Sequence, residues 1–144
     1  MNLETEIRAA CLADSTFTGA LAGGLFWIRL PQNPTYPCGI FQRVSTVPIY
    51  AQNVPGGTQA HVGKARYTFK FWSVNGDAAT ELQTIVQALL DVLSKLNAFA
   101  VPNSPPVTNQ APSFVLNERD GIESQIQPQA FWREVDVAVW YQDQ

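Results

Sequence analysis

One histidine, His61, and two cysteines, Cys11 and Cys38, are all that this 144-residue chain offers of the side chains that dominate metal and nucleophile chemistry. A histidine–cysteine zinc cluster would need all three to converge, at spacings that match no compact metal motif. A serine triad would also have to use His61, yet no Gly-x-Ser-x-Gly elbow occurs. Charge is scarce too: 15% of residues are charged, with a net charge of -3 and a pI near 5.0. That balance gives no general attraction to nucleic acid or to anionic membranes. Long apolar runs are missing. Residues 23–28 and 85–93 are too short or too interrupted to span a bilayer, and Met1-Asn2-Leu3-Glu4 lacks the basic start of a signal peptide. Without a secretory signal, the cysteines read as buried or free thiols of a reducing compartment. The glycine pairs Gly23-Gly24 and Gly56-Gly57 are not followed by the Lys-Ser/Thr of a phosphate loop. Glu118, Asp120 and Glu123 have Arg119 among them and no apolar enclosure, so they read as a solvated turn rather than a working carboxylate pair. No cofactor and no catalytic centre is expected.

What the chain does contain is pattern. From Ala60 to Ser73, apolar and polar residues alternate with period two, so that Ala65, Tyr67, Phe69 and Phe71 share one face and Lys64, Arg66, Thr68 and Lys70 the other. Asn75-Gly76 would ordinarily signal a hairpin. Here Asp77 is a good helix N-cap, and Leu82, Ile85, Val86, Leu89, Leu90, Leu93 and Leu96 follow at three- and four-residue steps, which predicts a long amphipathic helix instead. Burying those seven side chains is worth roughly 10 to 20 kcal/mol gross, an upper bound because the unfolded chain already hides part of that surface.

Elsewhere, Leu3, Ile7, Ala10 and Cys11 predict a short first helix over residues 2–13, with Glu4 and Glu6 near the positive end of its dipole. The helix is expected to break at Asp14-Ser15. A strand over 25–30 stops at Pro31, and a second runs from Gly39 to Ser45. Residues 46–59, with Pro48, Tyr50 and Pro55, are expected to form a long loop, the best candidate for an extended arm. A second loop is expected over 100–112, which carries Pro102, Pro105, Pro106 and Pro112. Then come a strand over 113–118, a turn at Arg119-Asp120-Gly121, and a final strand over 130–141. That strand presents Phe131, Val135, Val137, Val139 and Tyr141 on one side, with Arg133 near its end, and Glu134, Asp136 and Trp140 on the other. The element order suggests one α+β domain spanning residues 1–144: a mainly antiparallel sheet of four to five strands, with a short N-terminal helix and one long helix on one face.

The polar face of the 62–72 strand supports three readings. Lys64, Arg66, Lys70 and Trp72 suit a cationic and aromatic platform for single-stranded nucleic acid. They suit better a solvated face whose cations pair with Glu134 and Asp136, if the two strands are neighbours, because those acids and the negative net charge weaken the attraction on which nucleic-acid binding depends. Subunit contact is the third.

Taken in order, these segments resemble the tail completion protein family, small proteins at the head-proximal end of the tail of long-tailed phages. The resemblance is carried by Ala9-Ala10-Cys11-Leu12-Ala13-Asp14 closing the first helix, Ala20-Leu21-Ala22-Gly23-Gly24 before the first strand, and Tyr36-Pro37 leading into residues 40–45. It continues through the strand, turn and helix of residues 62–96, Glu118-Arg119-Asp120, Phe131-Trp132-Arg133 and the closing run 135–141. The Pro-rich 100–112 segment departs from the pattern. The resemblance implies a non-enzymatic structural protein of the virion's head–tail junction, present in the host cytoplasm during assembly. It implies a homo-oligomeric ring, of six copies, between the tail tube protein and a head-side connector or stopper protein, with DNA passing through unread and no membrane partner. Expected subunit or partner contacts are Tyr50 and Pro55 on the arm, and the opposite-charge rows Lys64, Arg66, Lys70 and Glu134, Asp136, meeting across a heterologous contact. Tyr50 has an alternative, packing on its own sheet. Other roles to weigh are a tail terminator, a head-side stopper, and a small-ligand module.

Overall fold

In the computed structural model, residues 3–50, 61–95, 114–123 and 129–143 are described. They form three helices and one five-stranded sheet: α1 (Leu3–Ala13), α2 (Ser15–Ala20), β1 (Leu25–Trp27), β2 (Cys38–Tyr50), β3 (His61–Ser73), α3 (Ala78–Lys95), β4 (Phe114–Glu123) and β5 (Ala130–Asp143). The strand order is β1-β2-β3-β5-β4. All neighbours are antiparallel except β1, which lies parallel to β2 through Leu25↔Gly39 to Trp27↔Phe41. The fold is α+β, as the pattern predicts.

The core lies between the helices and one sheet face. Ala65, Tyr67, Phe69 and Phe71 of β3 and Val135, Val137 and Val139 of β5 are buried there, against Leu82, Ile85, Val86, Leu89, Val92 and Leu93 of α3 and Leu3, Ile7 and Cys11 of α1. The period-two and 3.6-residue patterns of the chain therefore meet face to face. Phe41 stacks on Phe69, with centroids 5.5 Å apart and planes 11° apart, which ties β2 to β3 on the core side. On α3, Val92 is buried where Leu90 lies only at the rim, and Leu96 falls outside the described residues. Asp77 sits just before the helix, its carbonyl accepting from the Glu81 N–H at 3.2 Å.

Four element boundaries differ from the sequence pattern, each for a physical reason. Asp14 does not simply end a helix. Its carboxylate accepts from the Phe17 N–H at 2.9 Å and caps a second helix, which buries Phe17. β1 ends three residues short of Leu30, because Ile28 takes φ 67°, a left-handed conformation that cannot continue a strand. β2 runs on through residues 46–50, the first five of the fourteen residues that read as a loop. Pro48 is tolerated because β1 covers only Gly39 to Phe41, so that beyond it β2 is an outer strand. Finally, Arg119-Asp120-Gly121 is not a turn but the middle of β4, held to β5 by the register Arg119↔Glu134, Asp120↔Arg133 and Gly121↔Trp132. The expected loop over 100–112 and residues 51–60, Pro55 among them, lie outside the described residues.

Candidate assembly surfaces

The sheet face turned away from the helices carries the predicted charged rows. Because β3 and β5 are neighbours, Lys70 falls opposite Glu134 and Thr68 opposite Asp136. Asp136 is buried at 1% exposure, and both its oxygens are taken: Oδ2 accepts from Arg66 Nη2 at 2.6 Å and Oδ1 from Thr68 Oγ1 at 2.7 Å. Burial by itself would raise the Asp136 pKa. The hydrogen bonds from Thr68 and Arg66, with the charges of Arg66 and Arg119, outweigh it and hold the carboxyl below its ordinary value. Arg119 of β4 pairs with Glu134 and reaches Asp136 Oδ2 at 3.7 Å. Arg66, Asp136, Glu134 and Arg119 thus form one ladder across three strands within a single chain.

Lys70 is engaged differently. Its Nζ lies 4.4 Å from the centroid of Trp132 and 5.0 Å from that of Trp72, a cation held between two aromatic faces. Trp72 belongs to a second apolar cluster on this face, with Cys38 and Ala130 at its centre and Leu30, Tyr36, Ile40 and Trp132 packed around it. Trp72 is only 9% exposed, so it offers no open ring for a base to stack on. Of the other predicted contacts, Lys64 lies between Val47 and Trp140 in the register, and Tyr50 ends β2 opposite His61, in the sheet rather than on a loop. The Arg66, Lys70, Glu134 and Asp136 side chains share one face; Tyr50 sits at a strand end away from the ion-pair ladder.

Sequence reasoning missed the parts played by Arg119, Thr68, Trp132 and Gly121. Arg119 and Gly121 were hidden by reading them as a turn. Thr68 was in view, since the register that joins it to Asp136 follows from pairing the two alternating strands.

The other face of the β4 side opens into two clefts against α3. One, of about 320 Å³, has an apolar wall of Ala78, Leu82, Ile122 and Phe131, with Asp120 and Arg133 at its rim. Those two are paired, Arg133 Nε to Asp120 Oδ1 at 2.7 Å, so the arginine placed on the apolar side of β5 is neutralised from β4. The second cleft, about 590 Å³ and more polar, lies further along between Val86, Leu90, Val115 and Glu118. Among the described residues, no group of three or more His, Cys, Asp or Glu is placed to hold a metal ion, and no helix is long and apolar enough to cross a membrane. Cys11 and Cys38 are free and buried.

No protein-family model matches the sequence, and no curated protein matches it. The fold does have a solved counterpart: a chain from the virion of the native gene transfer agent particle superposes with a TM-score of 0.61 at 10% identity, over 98% of this chain and 95% of that one. The two share a fold.

Proposed function

We propose that this chain is a non-enzymatic structural protein of a phage or phage-like virion, acting at the head-proximal end of the tail. The observation that carries the proposal is the superposition with a chain of the gene transfer agent virion, which covers 98% of this chain and 95% of that one. The resemblance of the sequence to tail completion proteins points the same way. In this reading the chain forms a ring, of six copies, that completes the tail and joins the tail tube protein to the head-side connector or stopper; DNA passes through it without specific contacts. Function then resides in surfaces. Tyr50 and Pro55 and the charged face of Lys64, Arg66, Lys70 and Glu134 are the proposed contacts, with the buried Asp136 holding Arg66 in place on that face. Since Arg66 and Asp136 neutralise each other inside one chain, this face meets a partner as a paired surface rather than as a row of one sign.

Electron microscopy of lysates from a phage unable to make the chain tests the proposal. Filled heads beside separate tails of normal length are expected. Tails of uncontrolled length would assign the chain to termination instead, heads that leak their DNA would assign it to a head-side stopper, and normal infectious particles would remove it from assembly altogether.

A further inference from the structure

Seven large apolar side chains are exposed among the described residues: Leu12, Trp27, Ile28, Val44, Val115, Leu116 and Ile122. Apart from Leu12, they lie at the two lateral edges of the sheet. Trp27 and Ile28 end β1, and Val44 sits at the bulge of β2 just beyond the reach of β1. On the opposite edge, Val115, Leu116 and Ile122 belong to β4. Scattered single exposures are ordinary; grouping at two opposed edges is what contact surfaces show.

The edges also differ in charge. Residues 25–50 contain Arg29 and Arg43 and no acid, whereas β4 contains Glu118, Asp120 and Glu123 against Arg119. Arg43 is paired with Glu4 of α1, Arg119 with Glu134 and Asp120 with Arg133, which leaves Arg29 on the first edge against Glu118 and Glu123 on the second, one positive charge facing two negative. The two edges also present apolar groups on the same side of the sheet. Trp27 lies on the helix side of the sheet, with its ring edge-on to Phe41 at 5.1 Å, and the apolar cleft beside β4 opens on that same side. Ile28 adds a strained backbone at the same edge. A β-branched residue at φ 67° is strained, and strain of this kind persists where it serves a purpose. Here it ends β1 with an isoleucine that is 51% exposed.

We infer that the two edges form one heterologous contact between copies of this chain, in which β4 and its α3 cleft receive Trp27 and Ile28 of the next copy. Strand direction favours the arrangement. β4 runs opposite to β5 and so opposite to β1 and β2. Copies related by rotation about an axis along the strands therefore bring β4 antiparallel to the edge of their neighbour, the more stable sense of pairing. Two different surfaces on one subunit generate a ring when the rotation closes. The inference rests on the proposed ring and supplies its joint.

Two variants test it in solution: Leu116→Gln with Ile122→Gln on one edge, and Ile28→Asn with Val44→Gln on the other. All four positions are exposed, and circular dichroism checks that both variants stay folded. By sedimentation velocity, the wild-type chain is expected to form species larger than a dimer as its concentration rises. Each variant alone should be monomeric, and an equimolar mixture should form a one-to-one dimer, because it retains one intact copy of each edge. Homodimers of either variant alone would overturn the heterologous contact, as would variants that assemble like the wild type. A wild-type chain that stays monomeric throughout would overturn it while leaving the virion role to the lysate experiment.

Discussion

Trp132 lies across Gly121 so closely that a Cβ on the glycine would fall 2.1 Å from Trp132 Cζ2. The pair is a register neighbour between β4 and β5, and the indole that occupies the space above Gly121 is the same one that faces the ammonium of Lys70. A glycine in a strand interior is normally a weakness; here its bare backbone makes room for the ring.

Gly121→Ala is accordingly expected to destabilise the protein by about 1 to 3 kcal/mol, the range for overpacking a filled site. It should also push Trp132 away from Lys70. Chemical denaturation would measure the first effect and near-ultraviolet circular dichroism the second. An alanine variant with wild-type stability would mean that the ring relocates at no cost.

Asp136 makes stability depend on pH. Its pKa is lowered in the folded state from an ordinary 3.8, so its contribution is fully present above that value and is lost as pH falls through the lower folded-state pKa. Asp136→Asn should cost about 1 to 3 kcal/mol near neutrality, the worth of hydrogen bonds to a charged group, reduced to the extent that Arg66 is open to solvent. The variant should also show a shallower loss of stability between pH 5 and pH 2 than the wild type, to about a unit either way. Equilibrium unfolding at a series of pH values checks both.

Both thiols should be inert in the native state. Burial, with the charge of Asp14 adding to it, pushes Cys11 up to about 12, and burial pushes Cys38 up to about 11. Little thiolate then exists at pH 8, and a thiol reagent must also reach a side chain at 0% exposure. Labelling with such a reagent should be slow in buffer and complete within minutes in denaturant. Rapid native labelling at either position would contradict the packing around it.

Ile85→Ala removes a fully buried side chain of α3 from the sheet-facing core. A loss of about 2 to 5 kcal/mol is expected, the range for such truncations, and thermal unfolding would measure it. By contrast Leu90→Ala, at the rim, should cost distinctly less.

Much of the fold was legible because the strongest periodicities belong to the elements that make the core. Tyr67, Phe69 and Phe71 alternate without interruption, and Leu82 to Leu93 repeat at helical steps, so the sheet and α3 announce themselves. The errors fall where tertiary partners override local signals. Arg119-Asp120-Gly121 has the composition of a turn, yet Glu134, Arg133 and Trp132 supply partners for all three positions along β5. Pro48 reads as a strand breaker until β1 proves too short to reach it, so that no strand on that side calls for the N–H proline lacks. Asp14 looks like an interruption until Phe17 supplies the N–H that makes it a cap. Of the surface, the pairing of Arg66 with Asp136 follows from two alternating strands once they are known to be neighbours. The apolar edges do not, because which strands are outermost is a property of the sheet order and not of any segment.

That order also sets the timetable of folding. β5 follows β4 along the chain, yet it occupies the sheet's interior between β3 and β4. Arg66 must find Asp136 across 70 residues of chain, and closing so long a loop precedes any reward from the contacts it makes. Until β5 arrives, the nascent hairpin of β2 and β3 presents the bare flank of β3, and β4 has nothing to pair with. The β4 edge takes its place in the sheet only through β5, so a copy whose β5 has not docked has no ordered β4 edge to offer a neighbour.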